Sequence, residues 1–373
     1  MPQLFTPVNL GELSLANRIV VSPMCQYSAV EGDAQDWHML HLGQLAMSGA
    51  GMLIIEATAP SAEGRITPGC LGLYSDSNEA ALARVLASLR AHTPVVVAMQ
   101  IGHAGRKASS QEPWNGGALM PLGSPRAWQP LGPSALPQLP GEAPPRAMTR
   151  DDIGKVIADF AATARRADRL GIDALELHSA HGYLLHSFLS PLSNRRDDEY
   201  GGVQENRMRM LLEVFDAVRA VWPARKPLGV RLSVSDWVEG GWDLAQSIVL
   251  ARLLRQRGCA WLDCSSGGVA PALQKIPLGP GYQVPFADAI RKAVPGLPIM
   301  AVGLVTDPQQ AEDIIASGKA DMVALARGLL YNPRWPWHAA AALGATIVAP
   351  KQYWRSAPRE FPNVLGPMKT GQR

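Results

Sequence analysis

Cysteine is scarce: four residues in 373, at positions 25, 70, 259 and 264. They are too few and too scattered for a disulfide scaffold, and none stands in the C-x-x-C spacing of a redox or metal motif, so free thiols are expected. Charge is also thin. Charged residues make up 18% of the chain and the net charge is +3, with no basic block longer than Arg165-Arg166 or Arg195-Arg196. The electrostatic footprint of a nucleic-acid binder is therefore missing. No apolar run approaches the roughly 20 residues that cross a bilayer. The opening residues, MPQLFTPVNL, lack the basic segment and apolar core of an export signal. A cytoplasmic protein that binds neither membrane nor nucleic acid is the expectation. A G-x-G-x-x-G after a strand is missing too, and a doubly wound dinucleotide-binding sheet would want one in its first turn.

What the chain has is apolar substance, 47% of its residues, enough for one large α/β barrel or two ordinary domains. Strand-length apolar runs recur at 17–24, 52–59, 95–101, 174–177, 227–234, 261–265, 297–303 and 321–326. Helix starts and stops fall between them. Asp36, Ser75, Thr149 with Asp152, and Asp307 before Pro308 read as N-terminal signals, and Gly49, Gly171 and Gly318 as stops. Eight β-then-α units without a hairpin signal imply eight parallel strands with right-handed crossovers, closed as a (β/α)8 TIM barrel of the α/β class. Residues 4–15, with Pro7 and Gly11, suggest a short hairpin covering one barrel end. Residues 102–148, rich in Gly, Pro, Ser and Trp, are far longer than a usual βα loop and read as an ordered, irregular lid inserted after the third strand.

In such a barrel the active site lies where the strands end, so the residues just after each run carry the information. They are Ser22, Pro23, Met24 and Cys25 with Tyr27 after the first, Ala57 and Thr58 after the second, and Gln100, His103 and Lys107 after the third. His178, His181 and Tyr183 follow the fourth, Arg231 belongs to the fifth and Ser265-Ser266-Gly267-Gly268 to the sixth. Gly303 ends the seventh run, and Ala326-Arg327-Gly328 the eighth. Gly303 permits close backbone approach and Arg327 can grip an oxyanion with two N–H groups, so the last two loops read as a phosphate site. A structural glycine and a surface arginine are the bland alternative.

His178 and His181 admit two readings. Zinc needs a third ligand, usually a carboxylate, and only Asp236 offers one near a strand end. Without metal, two neutral imidazoles can donate hydrogen bonds to a carbonyl or phenolate oxygen, as an oxyanion hole does. Tyr183, with its proton held at neutral pH, can give it to a carbanion-like carbon. His38 and His41, equally spaced but inside a helix, show that spacing alone is worth little. The histidines and tyrosine together suit addition across a polarised C=C–C=O system, but they supply no electrons.

Taken in order, these motifs resemble the Old Yellow Enzyme family of FMN-dependent ene-reductases. The resemblance rests on Pro23-Met24-Cys25, Gln100 with His103-Ala104-Gly105-Arg106-Lys107, His178-x-x-His181-Gly182-Tyr183, Ser190-Pro191, 194–202 (NRRDDEYGG) and Arg231, and runs from about residue 5 to 355. It implies FMN over the barrel mouth. Arg231 would sit near the N1 and O2 edge, Gln100 on the pyrimidine edge, and Ser22, Pro23, Met24, Cys25 and Ala57 along the ring, with Gly303, Ala326 and Arg327 at the phosphate. NADPH or NADH would reduce the flavin and leave. An enone would then take hydride from N5 while His178 and His181 hold its oxygen and Tyr183 protonates it. Cys25 with His181 is similar to the bacterial xenobiotic-reductase and thermophilic-type subgroup. There Tyr27 touches substrate and a C-terminal aromatic or arginine, here Trp354 or Arg355, reaches the site, in some members from a neighbouring subunit. A homodimer or higher homo-oligomer is implied. Val302 replaces a tryptophan of some relatives. Residues 357–373 have no counterpart and are expected as a disordered tail beyond one domain, 1–356. The rival readings are an iron–sulfur relative, a reductase of another electrophile, a metal-dependent barrel hydrolase and an idle flavin-binding module. They would need, respectively, clustered cysteines, a different acceptor, a carboxylate-rich mouth, and histidines without work.

Overall fold

The computed structural model describes residues 1–367. Eight strands close a barrel in sequence order, each parallel to its neighbours: β1 (Ile19–Val21), β2 (Met52–Thr58), β3 (Val96–Ile101), β4 (Ala174–Ser179), β5 (Leu228–Ser233), β6 (Leu262–Ser265), β7 (Ile299–Val302) and β8 (Met322–Leu325). The expected (β/α)8 barrel is the fold. These strands are buried on both faces, which is why they read as nearly continuous apolar runs rather than as alternation.

Alternation still decides which side chains face inward. On β4, Leu175 and Leu177 pack outward in the large core under the helices, whereas Glu176 and His178 face the interior. The lower interior is apolar, filled by Val20, Met52, Ile54, Ala98, Trp261 and Met300. An antiparallel hairpin, Val8–Leu10 with Leu13–Leu15, turns at Gly11 (φ 61°) and adds Leu10 and Leu15 to that layer. It therefore seals the end where the strands begin. Gly229 on β5 is required by a close approach: a Cβ there would lie 2.1 Å from the Trp261 indole, which crosses beneath β5.

Several boundaries differ from those read in the sequence. β1 stops at Val21, since Pro23 has no N–H for a ladder and Tyr27 takes a left-handed φ of 53°. β4 runs two residues beyond Leu177, so His178 is a strand residue in register with Arg231. The first helix, Asp36–Ala46, is capped by Gln35 rather than Asp36, and Gln35 N–H donates to His38 Nδ1 at 3.0 Å. Thr149 and Asp152 do form the expected reciprocal cap. A helix at Val284–Ala293 went unread, its start hidden by Pro285 within a glycine-rich run.

The insertion is ordered and irregular, with two-residue strands at Leu131–Gly132 and Arg146–Ala147. Arg106 ties it down by donating to the Pro137 carbonyl at 2.9 Å and to that of Val269. Beyond Ser356, Ile347 N–H donates to Val364 O at 2.8 Å, and Val364 and Leu365 are buried. The expected disordered tail thus does not describe residues up to 367, because two apolar side chains anchor them. The rest of that expectation, 368–373, lies outside the described residues.

Candidate active site

β4 delivers the central group. His178 Nδ1 accepts the Ala180 N–H at 3.2 Å, which places the imidazole proton on Nε2 and makes that nitrogen a donor. His181 follows in a left-handed conformation (φ 60°), its N–H held by Ser233 Oγ at 2.9 Å and its Nε2 by Ser265 Oγ at 2.7 Å. The two rings stand edge to face, centroids 5.1 Å apart, and Tyr183 meets His178 edge-on at 4.8 Å. Gly182 (φ 77°) makes the turn possible, and its N–H donates to His186 Nδ1 at 2.8 Å. The other nitrogen of His186 meets buried Asp236 at 2.9 Å. Ser190 Oγ and Trp242 N–H also bind Asp236, so this carboxylate is spent on a loop anchor and does not face the histidines.

Burial holds both imidazoles well below their ordinary range, helped by the nearby Arg231 charge. Burial likewise holds the Tyr183 phenol well above its own. At neutral pH the three groups are thus neutral, two potential donors and a protonated phenol. Lys107 lies against them, donating to His181 O at 2.8 Å with its ammonium 4.9 Å from the Tyr183 ring centre. Burial and Arg106 push that lysine down to about 8. His103 is buried behind, its Nδ1 accepting Gly105 N–H at 3.0 Å, and it serves as a loop anchor.

Beneath lies a layer in which Arg231, Ser22 and Gln100, all expected at the site, meet two carboxylates that were not, Glu176 and Asp263. Arg231 donates to Ser22 Oγ at 3.1 Å, and its Nε sits 3.2 Å from Asp263 Oδ2 without the alignment of a hydrogen bond. Gln100 Nε2 donates to Glu176 Oε1 at 2.8 Å. Carboxylates inside buried strands are rarely idle, and that signal was present in 174–177 (ALEL) and 261–264 (WLDC).

From Arg231 and His181 a cavity of about 180 Å³ extends past Ser265, Gly303, Leu304, Ala326 and Arg327. It joins the two loops read as a phosphate site. Gly303 has φ 119°, and a Cβ there would strike Gln283 Nε2 at 2.6 Å. Ala57 stands where β2 shifts register, between Ile55 and Thr58. Pro23, Met24, Cys25 and Tyr27 follow β1, half-buried, with Gln26 N–H held by buried Glu56 at 3.0 Å. Contact with Cys70, then burial, holds the Cys25 thiol well above its usual range, so it stays protonated. Tyr27 meets Trp114 of the insertion edge-on at 5.6 Å.

Trp354 and Arg355 are not brought to this cluster. The Trp354 indole donates to Ala349 O at 3.0 Å, and neighbouring Tyr353 packs on Trp337. Residues 348–350 border residues that precede the strands, at the opposite barrel end.

The model of the NADH:flavin oxidoreductase / NADH oxidase family matches residues 3–345. An NADPH dehydrogenase of Geobacillus sp. (strain WCH70) is 44% identical over 354 residues, which is 94% of this chain and 98% of that protein. Morphinone reductase superposes with TM-score 0.77 at 30% identity, covering 96% of this chain and 93% of the other. 2-Naphthoyl-CoA reductase superposes at 0.81 but is 24% identical, and the match takes 92% of this chain and 52% of that one, so it speaks to the fold alone.

Proposed function

Because this chain belongs to the NADH:flavin oxidoreductase / NADH oxidase family, the oxidoreductases of Old Yellow Enzyme type, we propose that it is an FMN-dependent, NAD(P)H-consuming ene-reductase acting on α,β-unsaturated carbonyl compounds. The observation that carries this reading is the meeting of two neutral imidazoles and a protonated phenol above a buried arginine.

The residues fit FMN. Arg231 keeps an Nε–H without a hydrogen-bond acceptor, and the cavity beside it runs to Gly303 and exposed Arg327. Arg231 and Gln100 would hold the ring's polar edge, Ser22, Pro23, Met24, Cys25 and Ala57 its flank, and Gly303, Ala326 and Arg327 the phosphate. When bound, FMN supplies the hydride. The protein's own part is to bind and to protonate. His178 donates from Nε2 to the substrate carbonyl oxygen. In the tautomer in which Ser265 Oγ donates to its Nε2, His181 carries its proton on Nδ1 and becomes a second donor. Together they stabilise negative charge on that oxygen. Tyr183 then gives the phenolic proton to the α-carbon, and Lys107 beside its ring favours the phenolate that remains.

NADPH serves as reductant in this reading, following the name of the Geobacillus relative. Trp354 and Arg355, directed away from their own site, suit a homo-oligomer in which they serve a neighbouring copy. Among the described residues no helix is long and apolar enough to cross a membrane, and cytoplasmic residence belongs to the same proposal.

The test is direct. Purified protein should retain or bind FMN, and anaerobic reduction by NADPH followed by cyclohexenone should reoxidise it. A protein that takes up no FMN would sink the reading. The histidine pair has its own check: His178→Ala with His181→Ala should weaken binding of a phenol, which mimics the enolate oxygen, by roughly 10-fold or more, about 1.5–3 kcal/mol for a lost charge-assisted bond. Unaltered phenol affinity by absorbance titration would reject the donor role.

A further inference from the structure

Glu176 has no part in the chemistry above, yet its setting is closely made. It is fully buried, and both carboxyl oxygens are engaged. Oε2 accepts the Trp261 indole N–H at 3.0 Å, in space that Gly229 leaves open. Oε1 takes Gln100 Nε2 at 2.8 Å. The charged or titratable groups facing it are Arg231 from β5, Asp263 from β6 and the Cys259 thiol just before β6. Gln100 and Trp261 are neutral, and the layer below is apolar. Two carboxyls therefore share one guanidinium. Burial, and then Asp263, push Glu176 up to about 7.

An indole N–H only donates, so Oε2 is always an acceptor and a proton on Glu176 belongs on Oε1. With Oε1 ionised, Gln100 gives it the NH2 end and turns its carbonyl end away. With Oε1 protonated, the bond reverses: the carboxyl donates, the amide must accept through Oε1 of Gln100, and its NH2 end turns toward the mouth. We propose that Glu176 and Gln100 form a proton-linked amide switch, which offers the flavin an acceptor when Glu176 is ionised and a donor when it is protonated. The proposal rests on FMN occupying the mouth. Bound FMN would gain negative charge on reduction. A solvent proton taken by Glu176 would balance that charge, and the reversed Gln100 amide would offer a second donor beside Arg231. Glu176 is thus a positioning residue that acts through Gln100.

The experiment is a spectroelectrochemical titration of the holoenzyme's FMN midpoint potential across neutral pH, in wild type and Glu176→Gln. The substituted amide accepts from Trp261 and donates permanently to Gln100, so it imitates the protonated state. Wild type should show an inflection near neutrality. E176Q should lose it, with its alkaline potential shifted to the wild-type acid limb. An E176Q profile that keeps the wild-type inflection overturns the switch. If E176Q does not fold, the redox-difference infrared spectrum of wild type decides: a carboxylic-acid C=O band that appears on reduction supports the proposal, and its absence overturns it. A wild-type protein that binds no FMN overturns both this inference and the reading of the site. A normal holoenzyme with an unchanged profile in E176Q overturns the switch alone.

Discussion

Replacing Tyr183 by phenylalanine should slow enone reduction by roughly 10²–10⁴-fold, the usual worth of a positioned general acid, while flavin reduction by NADPH proceeds almost as before. The substitution removes one hydroxyl and keeps the ring, so the edge contact with His178 survives and the fold should not notice. In the proposed mechanism, reduction of the flavin needs no proton from this phenol, whereas saturation of the alkene does. Stopped-flow measurement of the two half-reactions separates the effects. An undiminished oxidative half-reaction would show that water or another group protonates the α-carbon. Burial holds the phenol well above its ordinary range, so its ionisation should not limit the rate at mildly alkaline pH.

Arg231→Met should be the most damaging change to the protein as a whole. The guanidinium is the positive charge facing two fully buried carboxyls, Asp263 at 3.2 Å and Glu176 beyond it. Removing one member of such a set leaves buried charge uncompensated, a loss of about 3–5 kcal/mol, and should also abolish tight FMN binding. The pH dependence has a definite sign. Burial raises both carboxyls above their unfolded values, and Arg231 opposes this. A carboxyl raised in the folded state costs stability once it ionises and regains it as pH falls through its folded value. Without Arg231 that value rises further, so the gap in melting temperature between variant and wild type should be widest in the alkaline range and should narrow as pH falls toward about 7, where Glu176 of the wild type itself takes up a proton. Thermal denaturation over that range, with fluorescence titration of FMN, measures both effects. Wild-type stability with an unchanged pH profile would remove Arg231 from this role.

The barrel was legible because its evidence is repetitive: eight apolar runs separated by capped helices admit few other closures. The site was legible where residue types carry chemistry on their own, as with His178, His181 and Tyr183, and where a family pattern assigns them. It was less legible where meaning depends on a partner far away in sequence. Glu176 reads as one acid in an apolar run until Trp261 and Gln100 arrive from other strands. Asp236 looked like a free carboxylate until His186 and Ser190 proved to be its partners. His38 packs inside its helix as expected, but only the fold shows that its Nε2 lies 3.5 Å from Glu56, the acid that holds the loop bearing Cys25 and Tyr27. Trp354 and Arg355 failed to join their own site for a related reason: a family pattern transfers residues, whereas the path of a terminal segment is set by what it packs against.

The hairpin at residues 8–15 has a kinetic consequence. It stops the lower end of the barrel with Leu10 and Leu15, so a molecule that reaches the flavin must enter and leave by the upper end. On the proposed function, the nicotinamide donor and the alkene acceptor would therefore be tenants of one room with one door. Neither can queue behind the other, and turnover should peak when the two are in balance and fall when either is in large excess.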